Sequence, residues 1–585
     1  MQSSEPFPLF TRFVSWFILA LSTLIFMACG PAPNQQFTQI TDTYFQQWPA
    51  LHPTQATQNG MHRYDHLLSN PTSQGLNARR ELYTSTLQSL KEVDPRGLTA
   101  QKRIDFYMLR NGLRSELFQL DTLREHSWNP LVHVQDLQGG LLYLISNPDS
   151  NRVQALISRL FEVPAWTNDV QNVLANPSPV HTQAAIEESR NLADWLKNSA
   201  TIDELAEKHS GLMAASHDAA AGLESFAEYL EDKILPHADR DFRLGGPLYS
   251  RKMDYMLQMA WSPDQLISSA EATLKTLYDE LYALSADLAK EWWSLQYRNP
   301  GTGQKMRLIQ RVINRMNNEH PDQEKLAGYI ASQTDQLRDF THQHKLLTLN
   351  RERSLEVHRG SFPLGAPDLM SLVAPGILDN NHRAVLYVQE IPGNWTSRDI
   401  NFFQEDYNTY TLQLLSIHHG IPGAFVQQAS AARYPSLVRF IYANPLTVQG
   451  WAHYAERMVV EEGWNSDEPG MQIIQIQWEI RRVLEALIDF KVHTQNMSES
   501  EALTLLTAEG FFTRWEAQRT WRKVELTSAN LPAAYLGKEA LLNIRSRYKQ
   551  LLSQNYSLQE FHNQVLSFGA PPLKYIRSLL IQGGI

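Results

Sequence analysis

Three short blocks in the last third of the chain carry the residue types that perform hydrolytic chemistry. SIHHGIPGAFVQQ (416–428) sets His418 beside His419, three residues before Pro422-Gly423. QGWAHYAER (449–457) offers Gln449, His453 and Glu456. On a helix these three fall within about a third of a turn, while Trp451, Tyr454, Ala455, Met458 and Val459 share another face. RRVLEALIDFKVH (481–493) repeats Glu485, Asp489 and His493 every four residues, opposite the apolar stripe of Ile480, Val483, Leu484, Leu487 and Ile488. Histidine and carboxylate in such numbers suit a zinc centre, which takes about three protein ligands at roughly 2 Å and a nearby base for the metal-bound water.

The spacing decides against the simplest such centre. An HExxH helix needs its second ligand four residues after the first. Four on from His418 stands Pro422, and four on from His419 stands Gly423.

The elements that must position these blocks read as helices. In WSPDQLISSAEATLKTLYDELYALSADL, Ser262 can cap, Pro263 suits the first helical position and Gln265 completes a capping box. The same start signal returns at Ser498 and Glu501. Breaks fall at 299–303, 360–376, 379–382 and 392–395, and only RAVLYVQEI (383–391) alternates well enough for a strand. The expectation is a mainly α protein, one domain over 37–585 with subdomain breaks near 299–303 and 360–395, and a small β element near 383–391.

At the other end, an apolar run from Phe13 to Ala28 follows Arg12 and stops at Cys29, the only cysteine among 585 residues. The run has the length of a signal-peptide core and is short for a membrane span. Cys29 resembles the acceptor of bacterial lipoprotein lipidation, although Phe26 and Met27 are bulkier than that pattern usually carries. The expected organisation is a signal peptide over 1–28 and a lipidated tether over 29–36. Gly30 rather than aspartate after Cys29 leans towards the outer membrane, facing the periplasm. With 52 Lys+Arg against 62 Asp+Glu the formal net charge is -10 and no long basic run occurs, which argues against nucleic acid as a partner.

HHGIPG followed by QGWAHYAER resembles the bacterial "domain of unknown function 885" family, whose members resemble helical zinc metallopeptidases and carry HEAxPGHHLQ followed by EGWALYAE. RLFEVP (159–164), GGPLY (245–249), RRVLEALIDFKVH and LPAAYLG (531–537) follow in the family's order. The resemblance implies a large helical metallopeptidase-like body with a cleft.

Position by position, it also implies an altered centre. His418 matches the family's first histidine, but the neighbouring glutamate is His419, the two histidines after Pro-Gly are Ala424 and Phe425, and the glutamate of EGWA is Gln449. Asp489 and His493 match a pair in which a carboxylate-oriented histidine steadies an oxyanion, and an exposed stripe paired with Arg481 and Arg482 is the alternative. Tyr535 matches a family tyrosine, with one residue fewer before Gly537. The implied catalytic set is therefore His419, Asp489, His493 and Tyr535, and the implied metal set His418, Gln449, His453 and Glu456, both degenerate. The leading expectation is a catalytically inactive, metal-free envelope lipoprotein that binds or scaffolds a peptide or envelope protein, held to the membrane by its lipid. The alternative is a zinc peptidase rebuilt on His418, His453, Glu456 and His493.

Overall fold

The computed structural model describes residues 32–146, 148–360, 369–379, 382–391, 395–434 and 436–582. Cys29 and the apolar leader lie outside them. The first helix begins at Pro33, inside the expected tether 29–36, because proline's fixed φ and missing N–H suit a helix's first turn.

Helices dominate, and six of them form the site or pack around it: α1 (Pro263–Trp293), α2 (Ala424–Ala431), α3 (Pro445–Glu461), α4 (Pro469–Gln495), α5 (Arg514–Leu526) and α6 (Pro532–Leu552). The start of α1 shows one half of the expected box: Ser262 accepts from the Gln265 amide, and Pro263 occupies the first position. The box at Ser498 and Glu501 closes in both directions.

The strand expected near 383–391 is β3 (Arg383–Val388), the centre of a three-stranded sheet in the order β1-β3-β2 with β1 (Ser354–Arg359) and β2 (Met370–Val373). β1 runs parallel to β3, pairing Leu355 with Ala384, and β2 runs antiparallel, pairing Leu372 with Leu386. β3 reads clearly because Ala384, Val385, Leu386 and Val388 are all buried. The edge strands escape notice because β1 ends in exposed His358 and Arg359 and β2 has only four residues.

The loops at 299–303 and within 360–395 do not divide the core. Leu288, Ile309, Leu355, Met370 and Leu386 belong to one hydrophobic cluster that runs on to Ile576. Two smaller clusters lie ahead of it in the chain, one from Leu131 to Leu230 and one built mainly from Phe37 to Leu120. Cores separate where helix faces stop interdigitating, and turn-forming residues alone do not mark that place.

A second correction concerns α4. Its apolar stripe is buried as expected, but Gln475, Glu479, Arg481, Glu485 and Asp489 are buried too, so the helix has no solvated face and the exposed stripe around Arg481 does not exist. α4 packs against α1, α3, α5 and α6, and a helix so enclosed must satisfy its charges internally. Arg481 donates to Asp406 at 3.3 Å and Lys538 of α6 to Glu479 at 2.7 Å.

Candidate metal centre

The histidine pair stands on a widened helical turn. The helix Thr409–Leu415 passes into a π-helical turn, Ser416–Gly420, and the Gly423 amide closes it by donating to the Ile417 carbonyl at 3.0 Å. Only glycine fits at 423, since a Cβ there would lie 2.2 Å from the carbonyl oxygens of Ile417 and His418. The Trp451 indole of α3 donates to the Pro422 carbonyl at 2.9 Å and fixes the turn against that helix.

α3 is set in turn by its crossing with α6. Gly450 and Gly537 face each other so closely that a Cβ on Gly450 would meet the Gly537 backbone at 2.5 Å. Asn444 caps the start of α3 by accepting from the Leu446 amide. The helix therefore buries Trp451, Tyr454 and Met458 and turns Gln449, His453 and Glu456 towards the histidine turn.

The result is a pocket of about 250 Å³ lined by His418, His419, Gln449, His453 and Glu456. His418, His453 and Glu456 each present one donor atom within 4.8 Å of the others. His418 Nδ1 donates to Glu456 Oε1 at 2.6 Å, and His453 Nδ1 lies 3.1 Å from the same oxygen. That second approach is off the hydrogen-bond axis, so buried His453 Nδ1 makes no well-formed hydrogen bond among the described residues. Burial pushes the His453 imidazole down to about 4, against the pull of Glu456. Burial would raise Glu456, but the two imidazoles overcome it and hold the carboxyl well below its usual range. A neutral imidazole beside an ionised carboxylate is the protonation state that metal ligands require.

The remaining implied residues divide. His419 lines the pocket with its ring edge-to-face on His418 at 4.7 Å, and Gln449 lines it while donating to Asn530 Oδ1 at 3.2 Å. Asp489, His493 and Tyr535 do not line it. Asp489 and His493 are fully buried elsewhere on α4, where Tyr249 donates to Asp489 at 2.7 Å. His493 Nε2 lies 3.8 Å from Asp489 and donates instead to the carbonyls of Val524 and Thr527, at 3.1 and 2.9 Å. That N–H is spent on backbone and is not available to an oxyanion. Tyr535 bonds Ser269 and Thr273 of α1, at 3.0 and 3.1 Å, and so joins α6 to α1.

The sequence reading missed a cationic wall. Arg482 of α4 and Arg519 and Lys523 of α5 line the pocket alongside Glu485 and Glu516. Nothing in the spacing of α5 points towards the histidine turn, so no local signal could have found its part.

Two solved structures share the fold. One, described as "a putative lipoprotein of unknown function" from Shewanella oneidensis, is 25% identical, covers 93% of this chain and 99% of its own, and superposes with a TM-score of 0.74. The other, described as "the putative lipoprotein" from Colwellia psychrerythraea, is 14% identical with coverages of 93% and 98% and the same TM-score of 0.74. No curated protein matches the chain. A family model described as "Bacterial protein of unknown function (DUF885)" matches residues 53–580, nearly all of the described body, and the chain belongs to that family.

Proposed function

We propose that the protein is a bacterial envelope lipoprotein whose pocket holds a zinc-type cation on His418, His453 and Glu456 and acts on a peptide. The observation that carries the reading is the convergence of those three donors on one another, with buried His453 Nδ1 making only an off-axis approach to Glu456. Two histidines and one glutamate form one of the ligand sets of catalytic zinc, whose fourth position stays open. His418 is the most exposed of the three, with 21% of its side chain accessible, and it lines the pocket that a substrate would enter. The reading replaces the metal-free expectation and keeps three of the four residues of the rebuilt set. His493 drops out because it lies apart from the cluster.

A bound zinc would supply acidity, lowering the pKa of its water from about 15.7 to about 7. The chain's own part is to hold and orient. Glu456 fixes the His418 ring, Gly423 and Trp451 fix the turn, and His419 stands at the pocket wall where a proton can be taken. A second reading, a pocket that binds its peptide without turnover, draws on the separation of Asp489 and His493 from the pocket. The envelope location, at the outer membrane facing the periplasm, draws on Cys29 and on the descriptions of the two similar structures.

The test is metal analysis by mass spectrometry of the purified full-length protein after zinc loading and dialysis, with His418→Ala, His453→Ala and, as an off-site control, Tyr535→Phe. About one zinc per chain, lost in both histidine variants and kept in the control, is the expected result. Absence of stoichiometric metal in the parent protein would overturn the reading. Cleavage of a peptide library, abolished by His419→Gln with the zinc retained, separates turnover from binding.

A further inference from the structure

A larger pocket, about 690 Å³, is lined by residues that follow the histidine turn, Ile421, Phe425 and Val426 among them. Its floor is apolar, made by Leu347, Leu355, Ile421, Phe425, Val426 and Ala429, all buried. Its rim is cationic: Lys345, Arg351 and Arg353 line it, and none of them forms an ion pair with a carboxylate among the described residues. Arg353 is only partly exposed, and among the described residues the one hydrogen bond it donates goes to the Pro375 carbonyl at 3.3 Å. A guanidinium carries five N–H donors in a fork, so most of that fork is left for a ligand. Asp339 is the one acid of the lining, while Arg338 beside it is paired with Asp335.

Exposed cations alone would carry nothing, since surface lysines and arginines are ordinarily solvated. Here they ring an apolar pocket of the size that holds small ligands, about 300–1,000 Å³. They also gather at one mouth of a chain whose net charge is -10. An occupant that satisfies both parts needs an apolar chain for the floor and an anionic head for the rim. A peptide would bring backbone amides to the floor, where Leu347, Leu355, Ile421, Phe425 and Val426 offer no side-chain hydrogen-bonding partner.

We propose that this pocket is a second binding site, for a long-chain fatty-acid carboxylate, with the acyl chain on Ile421, Phe425 and Val426 and the carboxylate between Lys345, Arg351 and Arg353. It is independent of the metal reading: it uses none of the three candidate ligands, and a metal-free protein would still bind.

The experiment titrates laurate into the purified full-length protein and reads displacement of a dansyl-labelled undecanoate. Dodecanol and acetate serve as probes lacking the charge and the chain. Saturable binding of one laurate is expected, with dodecanol at least about tenfold weaker because hydrogen bonds to a charged group are worth about that factor, and acetate weaker by at least as much because it loses the burial of the acyl chain. The double variant Lys345→Glu/Arg351→Glu, confined to exposed side chains, should weaken laurate by about tenfold or more and leave dodecanol unchanged. Non-saturable uptake, dodecanol binding as tightly as laurate, or unaltered laurate affinity in the variant would each overturn the proposal.

Discussion

The most quantitative consequence of the structure concerns Asp489, a fully buried carboxyl whose pKa burial pushes from 3.8 up to about 7. The Tyr249 hydroxyl opposes the rise without cancelling it. The folded state thus holds its proton more tightly than the unfolded chain. Between those two values the folded state binds more protons, so this group's contribution to stability is greatest in acid and is lost as pH rises towards about 7. At about 1.4 kcal/mol for each tenfold difference in proton affinity, the whole change is ~4 kcal/mol. Asp489→Asn keeps an acceptor for Tyr249 and removes the titration. Urea unfolding of both proteins from pH 4 to pH 8 should show the stability of the parent relative to the variant falling by about 4 kcal/mol, with the variant the more stable at the alkaline end. His493 contributes the opposite slope, since burial lowers it to about 4 and its neutral form gains as pH rises to 6.5; that term is largely common to both proteins and drops out of the difference. A difference that stays flat across the range would refute the reasoning, because it would mean that Asp489 is no harder to ionise when folded.

Two further perturbations test the frame around the site. Gly450→Ala puts a Cβ 2.5 Å from the Gly537 backbone, and overpacking of about 1–3 kcal/mol or more should outweigh the gain of about 1 kcal/mol that alanine brings to a helix. A lowered melting temperature is expected, and an unchanged or raised one would show that α3 and α6 can part without cost. His62 is raised to about 9 by its interactions with Asp379 and Asp65, so its stabilisation is present below 6.5 and is lost as pH climbs through 9. With a third of that side chain accessible, His62→Gln should cost about 1–2 kcal/mol at pH 6 and close to nothing at pH 10; an equal deficit at both would assign the loss to packing.

Much of the scaffold was legible because its signals are local. The start of α1 is written in Ser262, Pro263 and Gln265, and β3 in the apolar, β-branched run RAVLYV, since caps and strand propensity are set by the residues themselves and neighbours a few positions away. The facing of α3 was legible for the same reason, with Trp451 and Tyr454 inward and Gln449, His453 and Glu456 together on the other side.

What such periodicity cannot convey is what lies opposite a face. The polar edge of α4 left two readings open, an oxyanion-holding pair or an exposed stripe, yet other helices close over it, and Asp489 and His493 end in separate contacts with Tyr249 and the end of α5. The meeting of His418 with His453 and Glu456 depends on the glycine crossing of α3 with α6 and on the Trp451 bond to Pro422, contacts between segments tens of residues apart. The sequence alone determined which residues could act as ligands and which helices carry them, because donor chemistry and helical period belong to the residues themselves. Which of those ligands share one pocket was decided only by tertiary packing, because distance across a core is a property of every helix between them.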